Sequence, residues 1–344
     1  MRTTASILFA IAATGCMQMG SPRQGTGSGS DRASDCDESN ITSKSMDMTV
    51  SDASDLKSIP SSCWTMDGTL TIASSATTLN KLGDLRSVKN LVIKGSNLTE
   101  IDTPEVLTVT GSIDIENAQK LTSLANVKVP ADDCVTKLDG VTISANPVLA
   151  DLGGIQNLEC AAEAVTISNN VSLTQIKFDM AQRFEGGLEI SDNTHLTTLS
   201  LSSLDSITHD LIIKNNQNLA TFATLAGLQY MHGSIEIDSN PALTTLPTEM
   251  QDPGPVVEVS LLITNNAKLT NLGAFKKLGG VNGAMTITGN AQLDYCEARE
   301  VACCVGHNGV ASISTGNKTK TCSTQHASCY AANGNACLGQ YTTN

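Results

Sequence analysis

Two pairs of carboxylates stand two residues apart, Asp114/Glu116 and Glu236/Asp238. In an extended strand such residues share one face about 7 Å apart. That spacing is wide for one cation and suits acid/base hydrolysis of a sugar bond. A solvated acidic face has the same pattern, and it is the preferred reading. His209 and His232 are 23 residues apart. Stacked side by side they would make a metal pair; a surface coincidence is the plainer account. G-x-S-x-G, H-E-x-x-H, Walker and G-x-G-x-x-G motifs are missing from usable context. The chemistry-bearing residues therefore point to a protein that is not an enzyme and holds no cofactor or metal.

The elements that position these residues come from a repeat. An apolar-x-Ile strand, a polar turn with Asn and then Leu-x-x-Leu recurs as VTISANPVLADL (141–152), VTISNNVSLTQI (165–176), LEISDNTHLTTL (188–199), LIIKNNQNLATF (211–222), IEIDSNPALTTL (235–246), LLITNNAKLTNL (261–272) and MTITGNAQLDYC (285–296). Earlier, looser copies start at Leu70, Leu91 and Ile113. The strand Ile falls at 72, 93, 115, 143, 167, 190, 213, 237, 263 and 287, with gaps of 21 to 28 residues. A fixed period of this length is the mark of a solenoid.

Apolar-x-apolar has the period of a strand, so both apolar side chains share one face. One short strand per copy cannot bury that face alone. Stacking copies in parallel at about 4.8 Å buries all of them in one column, and ten copies make a rod about 50 Å long. The predicted fold is a mainly β, parallel β-helix or leucine-rich-repeat-like solenoid of about ten coils. With 3% aromatic residues, its core is expected to be Leu, Ile, Val and Ala. The Leu-x-x-Leu and later apolar pairs, such as Leu204/Ile207 and Leu225/Leu228, supply the other sides, in segments too short for full helices.

Seven copies carry Asn three residues after the strand Ile: Asn146, Asn170, Asn193, Asn216, Asn240, Asn266 and Asn290. Asn tolerates left-handed turns, and its amide can bond the backbone of the turn and of the next coil. A stacked amide ladder would satisfy turn groups that are otherwise buried and unpaired.

The outward positions then define one exposed sheet face. Its middle column runs Thr71, Val92, Asp114, Thr142, Thr166, Glu189, Ile212, Glu236, Leu262 and Thr286. If each strand stays extended, Ala73, Lys94, Glu116, Ser144, Ser168, Ser191, Lys214, Asp238, Thr264 and Thr288 form a second column. The candidate binding face is Asp114, Glu116, Glu189, Ile212, Lys214, Glu236, Asp238 and Leu262; its apolar members mark a protein contact or a covered face. Two stretches, 116–140 and 247–258, are long enough to build a cleft beside it.

The first fifteen residues read as a signal peptide: Arg2, then an apolar run from Ala5 to Gly15 that is too short to span about 30 Å of hydrocarbon. Ala13-Thr14-Gly15-Cys16 resembles the lipobox of bacterial lipoproteins. The resemblance implies acyl chains on Cys16 as the first mature residue. Met17 in place of Asp favours the outer membrane by the same likeness. Residues 16–45, rich in Ser and Gly, read as a flexible tether. No later stretch is apolar enough to cross a bilayer. A formal charge of -13 repels phosphate, so a nucleic-acid partner is excluded.

The repeats resemble the receptor L domain, a leucine-rich-repeat-like right-handed β-helix with copies among bacterial surface lipoproteins. Cys63 and Gly68-Thr-Leu-Thr-Ile72 match that family's opening Cys and G-x-L-x-I strand, and Gly111, Gly187 and Gly233 begin further matches. Ordinary leucine-rich repeats are the competing fold, disfavoured because many copies lack the Leu before the strand. The resemblance implies an architecture and no particular ligand.

Eleven cysteines minus a lipidated Cys16 leave ten, an even number in an exported chain, read as five disulfides. Cys36–Cys63 would close the first end. Cys134 and Cys160, about one coil apart, would lie on neighbouring coils and bridge the longest insertion. The segment from Cys296 to Cys322 resembles the terminal cap of the bacterial members of that family, and the resemblance implies a Cys296–Cys322 pair. Cys303, Cys304, Cys329 and Cys337 pair among themselves in an open order. Zinc with His307 and His326 is the competing reading there, disfavoured by the lack of Cys-x2-Cys pairs.

The expected organisation is a signal peptide (1–15), a tether (16–45), an L-domain-like solenoid (46–295) and a Cys-rich cap (296–344), exported and lipid-anchored at the outer membrane or cell surface. The expected function is non-catalytic recognition or adhesion, with a protein or glycan at the envelope as partner. A polysaccharide-acting β-helix enzyme and a structural envelope component without a ligand are the alternatives.

Overall fold

The computed structural model describes residues 41–51, 63–73, 75–79, 82–103 and 106–313. The signal peptide, Cys16, Cys36, Cys322, Cys329 and Cys337 lie outside the described residues.

The fold is a parallel β-solenoid. Its main sheet has fifteen strands, and two narrower parallel sheets of six and three strands form other sides of the coils. Register follows the strand Ile. From Val50 through Ile72 and every later repeat Ile to Ile313, each pairs directly with the next in eleven steps. The reason is burial: a one-residue slip would turn each Ile outward. Of the eleven Ile in that column only Ile313 has any measurable exposure, at 1%.

The solenoid runs further than the repeats suggest. Met48–Val50 and Ala311–Ile313 add a rung at either end. Thr42–Lys44, inside the expected tether, is already a strand paired with Trp64–Met66. The segment expected as a cap begins with a ten-residue helix, Tyr295–Cys304, and then rejoins the main sheet at Ala311. Asp294 caps that helix by accepting the Cys296 N–H (2.8 Å). Lys276 reaches across to Glu297 (2.8 Å) and Glu300 (3.1 Å) on its first turns.

The core is the expected aliphatic column with one addition. Phe178, Phe184, Phe222 and Phe275 are all buried. Phe178 and Phe184 meet edge to face at 5.9 Å. Phe184 lies in the six-stranded sheet and Phe222 in the three-stranded one, while Trp64 is buried in the main sheet.

Asn146, Asn170, Asn193, Asn216, Asn240, Asn266 and Asn290 are completely buried. Each donates its Nδ2 to the carbonyl of the strand Ile one coil earlier, from Asn146 on Ile115 (3.0 Å) to Asn290 on Ile263 (2.7 Å). Each Oδ1 accepts the backbone N–H at the matching position of the preceding coil. The ladder is thus structural, as the turn chemistry requires. The left-handed residue is the one before the ladder Asn. Ala145, Asn169, Asp192, Asn215, Ser239 and Asn265 have φ between 56° and 58° and Gly289 has 70°; Asn117 takes the same turn before Ala118, at 56°. The two tasks fall on adjacent positions because the ladder amide must point inward while the turn bends outward.

Coils stack so closely at the corner before the main strand that some positions exclude a side chain. A Cβ on Gly283 would lie 1.8 Å from the Val259 carbonyl oxygen. This is the physical content of the glycine in the G-x-apolar-x-Ile strands.

Cys134 and Cys160 are joined, with Cα atoms 5.4 Å apart. Cys63, Cys296, Cys303 and Cys304 are disulfide-bonded too. The partners expected for them lie outside the described residues.

Candidate functional site

Strand geometry sends alternate residues of the main sheet outward, and the register sorts the candidate face into two columns. Asp114, Glu189, Ile212, Glu236 and Leu262 share the middle column with Val92, Thr142, Thr166, Thr286 and Ser312. Glu116, Lys214 and Asp238 share the second with Lys94, Ser144, Ser168, Ser191, Thr264 and Thr288. Ala73 drops out, because its strand ends at Ile72. The middle column is half-buried throughout.

The two carboxylate pairs do not converge. Five rungs separate Asp114 from Glu236, about 24 Å at 4.8 Å per rung. Each pair has a lysine on the preceding coil. Lys94 Nζ lies 2.7 Å from Asp114 and 3.3 Å from Glu116; Lys214 Nζ lies 3.5 Å from Glu236. The hydrogen bond to Asp114, with that to Glu116, holds the Lys94 ammonium above its ordinary range. The lysines of these pairs are exposed and the carboxylates partly so, so the pairs order side chains more than they stabilise the fold.

Asp238 is the best-anchored group on the face. It accepts hydrogen bonds from Asn265 Nδ2 (2.9 Å), Ser239 Oγ (2.9 Å) and Thr264 Oγ1. Burial alone would raise its carboxyl; these bonds and the Lys214 charge outweigh burial and hold it below the usual carboxylate range. A general acid needs the opposite shift. Glu189 accepts Ser191 Oγ at 2.8 Å. In the described part of the face, every carboxylate on these columns has a cross-coil or same-strand partner.

The histidines do not form a pair. Met231 pairs with Ile207, so His232 stacks on Thr208 and His209 lies one position further along. His232 Nδ1 contacts Glu258 (3.0 Å), and His209 Nδ1 contacts the Glu185 carbonyl (2.7 Å). Among the described residues no three His, Cys, Asp or Glu side chains converge as a metal-holding group.

A cleft of about 230 Å³ opens where the main strands of three coils begin. Glu189 and Ile212 line it, with Thr166, Gly187, His209 and Asp210. Neither insertion expected to build a cleft contributes to it. The sequence carries one trace of it, the doublet Gly186-Gly187 at a coil corner, which means little until the register shows what lies on either side.

No protein-family model, curated protein or solved structure matches this chain.

Proposed function

We propose that the protein is an exported, lipid-anchored recognition or adhesion protein of the cell envelope, held through Cys16, which presents the outer face of its main sheet to a protein or glycan partner. One observation carries this reading: the outward residues of ten consecutive rungs lie in register, and their charged groups are tied to neighbours across coils or on the same strand. Such a face is ordered before it binds, which lowers the entropy lost on association. Ile212 and Leu262 add apolar contact between hydroxyl-bearing and charged rungs. The net negative charge disfavours anionic partners. The anchor and export rest on the opening sixteen residues alone.

The test is binding of the labelled full mature chain to isolated envelopes and intact cells. Binding is expected to saturate. Thr142→Arg with Leu262→Arg, two long cations on the face, is expected to weaken it at least tenfold while the circular dichroism stays unchanged. Unsaturable binding would favour a structural component, and indifference to the double variant would remove the face from the reading. Proteolytic release from intact cells, with a periplasmic control protein left whole, tests the surface location.

A further inference from the structure

The cleft on this face has a local cause. At three coil corners the residue before the main strand accepts the N–H of its counterpart in the next coil. Asp47 Oδ1 accepts from Thr69 (2.7 Å), Asn90 Oδ1 from Ser112 (2.9 Å) and Asp210 Oδ1 from Ser234 (2.7 Å). The corner residues of three successive coils, Gly140, Ala164 and Gly187, carry no side-chain acceptor, and the last two line the cleft. The N–H groups of Gly187 and Asp210 therefore receive nothing from this corner ladder. Gly186-Gly187 is also the one described corner at which both residues before the strand are glycine. The side-chain acceptor is thus missing at two corners that line the cleft of about 230 Å³, while the glycines let the coils close up, since a Cβ on Gly186 would lie 2.2 Å from the Ala164 backbone nitrogen.

At about 30 Å³ per water, that space equals seven or eight waters, room for one sugar ring and short of a drug-sized pocket. Ile212 offers apolar surface for the C–H face of a ring. Backbone N–H groups can donate to a hydroxyl oxygen, and the Glu189 and Asp210 carboxylates can accept from a hydroxyl proton. Two carboxylates beside the space oppose an anion. We propose that this cleft is a subsite for a single neutral sugar residue of a glycan. This rests on the recognition reading above and names its ligand class. Without an aromatic ring to stack on, affinity for one site is expected near about a millimolar.

The experiment titrates the full mature chain with cellohexaose, maltohexaose, mannohexaose and chitohexaose, and with hexagalacturonate as the anionic comparison. At least one neutral hexasaccharide is expected to bind at least tenfold more tightly than the anionic one. Ala164→Asp rebuilds the missing acceptor, as Asp210 does for Ser234, and fills the space. It should keep or raise the melting temperature and lose at least tenfold in sugar affinity. Glu189→Ala, which removes a carboxylate bonded to Ser191 on the same strand, gives a second reading should Ala164→Asp not fold, with at least a threefold loss expected. Absence of binding by every neutral hexasaccharide, equal binding of hexagalacturonate, or full affinity in the variants would overturn the subsite. If that happens while envelope binding still saturates and still responds to Thr142→Arg with Leu262→Arg, the subsite falls and the recognition face stands. Unsaturable envelope binding removes the recognition reading itself.

Discussion

Replacing Asn216 by Ala removes an amide from the middle of the buried ladder. Its Nδ2 donates to the Ile190 carbonyl (2.9 Å), and its Oδ1 accepts the Asn193 backbone N–H (3.1 Å). The Asn216 backbone N–H keeps its own acceptor, Asn240 Oδ1 (3.0 Å). The substitution therefore strands one fully buried donor, costing about 1–3 kcal/mol, and deletes a second bond worth about 1 kcal/mol. The expected loss is about 3 kcal/mol, a large part of the ~5–15 kcal/mol typical of folded domains. With a urea slope of about 3 kcal/mol/M, the midpoint should fall by about 1 M. Circular dichroism measures this, and amide exchange at neighbouring coils shows whether the loss stays local, since solenoids need not unfold in one step. Asn218 is the control: its amide bonds the Thr194 carbonyl at an exposed position, and Asn218→Ala should cost under ~0.5 kcal/mol. The pH dependence of Asn216→Asp adds a second check. Its buried carboxyl faces the Ile190 carbonyl, so its folded pKa is raised; stability is retained below the ordinary carboxylate value near ~4 and lost as pH rises. A loss under about 1 kcal/mol in Asn216→Ala would refute the ladder as a source of stability.

Ala145 holds a φ of 56° that favours glycine, so Ala145→Gly should stabilise by about 0.5–1 kcal/mol, read as a raised melting temperature; a lower one would show that the methyl packs better than the turn suffers. Asp238 is held below the usual carboxylate range against the opposing effect of burial, by its hydrogen bonds and the Lys214 charge. Its stabilisation is present above the unfolded value near ~4 and lost as pH falls through the lower folded value, so the stability gap between wild type and Asp238→Asn should be flat at neutral pH and close only in acid. Cys134 and Cys160 enclose a loop of 26 residues, and replacing both by Ser should cost about 3.5 kcal/mol in the chain-entropy account, measured by urea unfolding under non-reducing conditions; an equal midpoint would mean the insertion is held by its hydrogen bonds alone.

The solenoid was legible because its cause is repeated. Apolar-x-Ile every 21 to 28 residues allows one arrangement that buries every Ile, and the same pattern assigns the outward columns to which Asp114, Glu189, Ile212, Glu236 and Leu262 belong. The end rungs were harder to see. Met48–Val50 and Ala311–Ile313 lack the ladder Asn that marks seven of the ten copies and the Leu-x-x-Leu that follows it there. The helix Tyr295–Cys304 was missed because it begins where the last copy still looks like a repeat.

Sequence by itself determined the period, the buried face and the amide row, since each depends on residues a few positions apart along one strand or turn. Tertiary structure alone decided which neighbours meet across coils. It put Lys94 on Asp114, set His232 over Thr208 instead of His209, gave the left-handed turn to Ala145 and not Asn146, and left the corner at Gly187 without an acceptor. The contacts across coils join residues twenty or more positions apart, and the variable length of each coil hides their alignment until backbone hydrogen bonds fix the register.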